Sequence, residues 1–137
     1  MKKMNNKGFS LVELIVVIAI MAVLIGVLAP QFLKYVEKSR QSTDVQNVQE
    51  LKTAIEVYVA DTGTDTGCTI TVTGGASGTV SVPDTLTLDG VSDTTKLKSK
   101  TWPSATFTYS SSTGWSSSAT TCANTADPKL DIADIFK

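Results

Sequence analysis

The chain has 137 residues, a formal net charge of −1 and two cysteines, and it contains no histidine. That length suits one small domain with at most an appendage, and a histidine-free chain with two cysteines excludes Cys₂His₂ and Cys₄ zinc sites and the usual imidazole base. The bland charge averages three unlike segments: residues 1–8 carry Lys2, Lys3 and Lys7 with no acid, residues 9–30 hold 18 apolar residues out of 22, and the remainder is mildly acidic.

From Phe9 to Ala29 the apolar run is interrupted only by Ser10, Glu13 and Gly26. As a helix this stretch spans about 31 Å, the thickness of a bilayer core. The lysines before it fit an N-terminus kept in the cytoplasm. A cleavable secretory signal has a shorter apolar region ending at an A-x-A-like site, whereas this run ends Val27-Leu28-Ala29-Pro30. A plain anchor leaves Glu13 unexplained, because a carboxylate at such a place costs about 2.5–3.5 kcal/mol on insertion scales. A buried core helix of a soluble domain would not be apolar on every face. Pro30 lacks an amide donor and clashes with the carbonyl of Gly26, so Gly26 to Pro30 is a weak place in any long helix.

The stretch Lys7-Gly8-Phe9-Ser10-Leu11-Val12-Glu13-Leu14-Ile15 closely resembles the type III signal of type IV pilins and pseudopilins. The resemblance implies a leader cut after Gly8, N-methylation of the new N-terminal Phe9, and Glu13 as the fifth mature residue. Glycine at the cut offers an enzyme an unhindered backbone. The cut creates an ammonium at Phe9, and an incoming subunit's ammonium could neutralise Glu13 in a low-dielectric filament core, making Glu13 a registry device. The resemblance also implies a kink at Pro30 in the isolated subunit and local unwinding between about Ala22 and Pro30 in a filament, with a kink that only helps packing as the alternative.

Beyond Pro30, Val45, Val48, Leu51, Ile55 and Val59 recur at helical spacing and predict an amphipathic helix ending near Asp61-Thr62-Gly63, with Gly63 as C-terminal cap. A helix over about 10–61 is about 78 Å long, more than a globule of this size encloses, so its first half is expected to project into membrane or partner subunits. From Thr62 to Thr125, 29 of 64 residues are Ser or Thr. Alternation predicts half-buried strands at Thr69–Thr73, Thr79–Val82, Thr85–Leu88 and Thr106–Tyr109, with turns at Gly74-Gly75, Pro83-Asp84, Asp89-Gly90 and Thr113-Gly114. Leu130, Ile132, Ile135 and Phe136 are expected to cover an edge or form a short helical turn. The expected fold is α+β: a long N-terminal helix whose amphipathic half packs against a small antiparallel sheet. Its parts are a leader at 1–8, an apolar assembly half-helix at 9–30, an amphipathic half-helix at 31–61 and a β-rich head at 62–137.

Cys68 and Cys122 are expected to form a disulfide if the head is translocated to an oxidising compartment, with two free thiols as the alternative. Pilins often carry one disulfide, but with both cysteines toward the C-terminus. Trp102, Tyr109 and Trp115 offer a candidate aromatic platform for a carbohydrate or other surface, and Asp127, Asp131 and Asp134 faintly echo a pseudopilin calcium loop, though no metal site is assigned. Nothing assembles a reaction centre or a nucleic-acid site, and no cofactor is expected. The resemblance implies a non-enzymatic pilus subunit with the membrane, a prepilin peptidase, the assembly machinery and further copies of itself as partners. Its precursor would sit in the cytoplasmic membrane and its mature form in an extracellular filament. A pseudopilin of a secretion or DNA-uptake machine shares the whole motif, and a minor pilin with an adhesive head for host or substrate surfaces stays open beside it.

Overall fold

The computed structural model describes residues 8–119, 121–127 and 129–137. The expected leader therefore lies outside the described residues except for Gly8. The chain divides into two compact units, with the boundary between Tyr35 and Val36. One α-helix, α1 (Leu11–Thr62), supplies residues to both.

In the first unit, every residue from Gly8 to Tyr35 is exposed. This follows from a sequence apolar on all faces, which no single packing partner can cover. The helix assignment is unbroken through Gly26 and Pro30.

In the second unit, the remainder of α1 packs on a five-stranded antiparallel sheet of β1 (Thr69–Thr73), β2 (Thr79–Ser81), β3 (Thr94–Lys96), β4 (Ala105–Ser110) and β5 (Gly114–Ser117). The spatial order is β3-β2-β1-β4-β5. Register pairs Val72 with Val80 on one side and with Ala105 on the other, and Ile70 with Phe107. The period of two thus turns these side chains toward Val48, Leu51 and Ile55 of α1, and the core is continuous across them. The alternate threonines, Thr69, Thr71, Thr106 and Thr108 among them, fall on the opposite face. A 3-10 helix, Ile132–Phe136, closes the chain and buries Ile132.

The helix end follows from its cap. Gly63 adopts φ 69° and donates its N–H to the Val59 carbonyl at 2.8 Å, while the Thr62 hydroxyl donates to the Tyr58 carbonyl at 2.8 Å. At the β1–β2 turn, a Cβ on Gly74 would come within 2.0 Å of the Trp102 carbonyl oxygen, so the close approach of these two loops requires glycine.

Three expectations need correction. Thr85–Leu88 is not a strand: Leu86 donates to the Pro83 carbonyl at 2.9 Å, which curls the segment into a turn, and Leu86 and Leu88 enter the core without a ladder partner. Strands β3 and β5 carry no alternation that marks them, since edge strands can be polar on both faces. The expected Cys68–Cys122 disulfide is absent, both thiols being free and buried. Tyr109 donates to the Cys68 carbonyl at 2.9 Å, whereas the Cys122 thiol donates to the Pro103 carbonyl at 3.6 Å. The two thiols therefore sit by different parts of the chain, Cys68 beside Tyr109 near the end of β4 and Cys122 beside Pro103 before its start.

Candidate functional site

The N-terminal site is built from an exposed strand of chain feeding a helix start. Gly8, Phe9 and Ser10 are exposed and precede α1, and nothing lies within 4 Å of where a Cβ on Gly8 would sit. Phe9 is 91% exposed. Ser10 donates its backbone N–H to Glu13 Oε2 at 2.8 Å, and Leu14 donates to the Ser10 carbonyl at 3.2 Å. With Ser10 before the first helical residue and Glu13 three residues later, this is the glutamate half of a capping box. The Ser-x-x-Glu spacing was visible in the sequence and is a local role that the registry argument passed over. Among the described residues Oε1 of Glu13 makes no hydrogen bond, so the same carboxylate retains an oxygen for another donor.

The helix after this cap is long and apolar enough to cross a membrane, the one such helix among the described residues. Gly26 has no atom within 4 Å of its Cβ position, so it leaves a shallow notch on an open surface four residues before Pro30. Gly8 and Phe9 immediately precede Ser10, whose N–H meets Glu13, and Cys68 and Cys122 lie in the second unit.

The head holds a second set of polar groups that sequence reasoning missed. Asp44 is fully buried and accepts from the Lys98 N–H at 2.7 Å, the Ser99 N–H at 2.8 Å and Trp102 Nε1–H at 2.8 Å. Gln41, also buried, donates to the Ala126 carbonyl at 3.3 Å and accepts from the Leu130 N–H at 3.3 Å. The Ser99 hydroxyl donates to Glu37 and accepts from Asn124 Nδ2 at 2.9 Å. Gln41 and Asp44 extend the buried stripe of Val48, Leu51, Ile55 and Val59 toward the N-terminus at spacings of three and four. Their polarity concealed a position that periodicity alone would have marked.

Of the aromatic platform, the structure brings two members together and removes the third. Trp102 is buried on Asp44, while the rings of Tyr109 and Trp115 lie 5.2 Å apart and Trp115 lies 4.7 Å from Phe136. Trp115 Nε1–H donates to Glu56 Oε1 at 2.9 Å, which ties the cluster to α1. The acidic residues near the C-terminus have local partners: Asp131 Oδ1 accepts from the Cys122 N–H at 2.7 Å and the Ala133 N–H at 2.9 Å, and Asp134 pairs with Lys137. No group of three or more metal-ligating side chains occurs among the described residues. Near the other sheet end, Ser111 holds the Asp65 carboxyl below its ordinary value, first through its N–H and then through its hydroxyl.

Comparison with known proteins bears on the N-terminal site. A family described as "Prokaryotic N-terminal methylation motif" matches residues 3–29. The chain is 37% identical over 59 residues to a type IV major fimbrial protein FimA of Dichelobacter nodosus, covering 43% of this chain and 38% of that one. It is 36% identical over 57 residues to the type IV major pilin protein PilA of Myxococcus xanthus, covering 42% and 26%. Identity to the prepilin peptidase-dependent protein A of Clostridium perfringens is 32% over 94 residues, 68% of this chain and 63% of that protein. The matched region thus spans less than two thirds of each relative's length. No solved structure matches the chain significantly. The methylation motif over residues 3–29, the similarity to type IV fimbrial and pilin proteins, and the presence of one long apolar helix and one antiparallel sheet support a type IV pilin with a type III signal.

Proposed function

We propose that this chain is the structural subunit of a type IV pilus, held in the cytoplasmic membrane as a precursor, cut after Gly8, methylated at Phe9 and polymerised through α1 into a surface filament. The observation that carries the reading is a signal motif sitting on a helix whose 18 apolar residues in 9–30 are all exposed. Burying one Val, Leu, Ile or Phe side chain is worth about 1.5–3 kcal/mol, so these residues need a bilayer to cover them before assembly and neighbouring helices to cover them in a filament. Relatives named as major fimbrial and pilin proteins support a pilin over a pseudopilin.

Glu13 then has two successive duties. In the single subunit it caps its own helix through the Ser10 N–H. In the filament its second oxygen accepts from the ammonium of a neighbouring Phe9, since an uncompensated carboxylate there would be strongly unfavourable. Gly26 and Pro30 supply the place where the helix can bend or unwind during that packing. A prepilin peptidase and the pilus assembly machinery are the partners this route requires. No step calls for enzymatic chemistry by the chain itself.

The test is mass analysis of the surface protein, expected to begin at methylated Phe9. A mature protein beginning at Met1, or near Ala29, would overturn the reading. In the same cells Glu13→Val should be inserted and cut normally but assembled poorly, and normal fibre yield from that variant would remove the registry role.

A further inference from the structure

On the second unit, the exposed face of α1 and the loop around Leu88 enclose an open groove of about 930 Å³. Its floor includes Val57, Tyr58 and Leu88, and its rim carries Glu50, Asp61 and Asp89. No Lys or Arg lines it. Val57 is 63% exposed, on the helix face opposite buried Ile55 and Val59. A groove that is apolar below and negative around its edge suits an amphipathic helix bearing aromatic and cationic side chains.

We infer that this groove seats the Phe32–Arg40 stretch of α1 from a second copy of the chain. That stretch has the complementary chemistry: Phe32, Leu33 and Tyr35 are exposed, and Lys34, Lys38 and Arg40 are interleaved with them. Lys34 and Lys38 stand four apart and Tyr35 and Lys38 three apart, so ring and cations share a helix face. Among the described residues, the other cationic run, Lys96, Lys98 and Lys100, has a half-buried Leu97 and a buried Ser99 between its lysines and offers no aromatic anchor to fill the groove. Groove and stretch are different surfaces, so each copy uses both and the contact is heterologous, the type that a filament requires. The inference rests on the proposed polymerisation and names the surfaces through which it proceeds.

Cysteine cross-linking of the full-length chain in its own membrane tests it. The native thiols are buried, so a brief oxidant pulse reports only on introduced cysteines. Val57→Cys with Tyr35→Cys should yield a ladder of covalent multimers. Adding Glu50→Lys and Asp89→Lys should weaken the ladder about tenfold, and Lys38→Glu with Arg40→Glu on that background should restore it, because only the matched charges attract. Fibres without a ladder would overturn the contact and leave the pilus reading standing. A ladder from Val57→Cys with Lys98→Cys in place of Tyr35→Cys would overturn the chosen occupant. A ladder in cells that make no wild-type fibres would uphold the contact and sink the pilus reading.

Discussion

Two carboxylates on α1 show how one residue type serves opposite ends of the same helix. Glu13 is exposed and spends one oxygen on the Ser10 N–H, so its remaining valence faces outward. Asp44 is buried and spends both oxygens on three donors from the loop Lys98–Trp102, which clamps that loop to the helix. Removing Asp44 would leave two buried donors and one half-buried donor without an acceptor, each buried one worth about 1–3 kcal/mol when orphaned. Asp44→Ala should therefore lower the stability of the head by roughly 3 kcal/mol or more in urea unfolding followed by tryptophan fluorescence. Loss of less than about 1 kcal/mol would mean that water replaces the carboxylate and the clamp is not structural.

At the level of elements, α1 changes character along its length without changing conformation. Its second half has a dry side and a wet side two residues apart, with Ile55 fully buried against the sheet and Val57 mostly exposed. Ile55→Ala should cost about 2–5 kcal/mol through lost contacts and a residual cavity. Val57→Ala should change stability by less than about 0.5 kcal/mol. Comparable losses from both, measured as denaturation midpoints at unchanged slope, would mean that the sheet does not pack where the structure puts it. The sheet shows the same division, with Ile70, Val72 and Phe107 inside while hydroxyls cover the outer face. The edge strands β3 and β5 are short and polar, which suits a head that must stay soluble when its flank is uncovered.

For the molecule as a whole, stability rests on packing and buried hydrogen bonds, with no disulfide. Burial raises the thiol of Cys122 to about 11, with the Asp131 charge adding to it, and burial raises Cys68 as well. Both folded thiols thus hold their protons more tightly than unfolded ones. The Cys122 contribution is complete below the ordinary thiol value of 9.0 and declines as pH rises from there toward about 11, and the Cys68 contribution has the same sign. Reductant should leave the Tm of the head unchanged, and alkylating reagent should label both cysteines only after denaturant is added. A fall in Tm on reduction, or labelling of the native protein, would reinstate a bridge or an open site.

The N-terminal motif, the long helix, its Gly63 cap and most of the β1 and β4 boundaries were legible in the sequence because each depends on neighbours along the chain: a short local motif, a helical stripe, a period of two. What the sequence concealed depends on neighbours in space. The turn at Pro83 consumed an alternating segment that reads as a strand, and edge strands β3 and β5 formed because a partner edge was available to them. The two cysteines read as a pair by compartment and count, yet antiparallel registry set them near opposite ends of β4. Asp44 could be placed on the buried stripe by spacing, but only the loop that folds over it made a buried carboxylate tolerable. The one-dimensional pattern therefore determined the signal motif, the apolar helix and the β-rich character of the segment after it. Tertiary structure decided which polar groups are buried, because burial of charge depends on donors brought from distant parts of the chain.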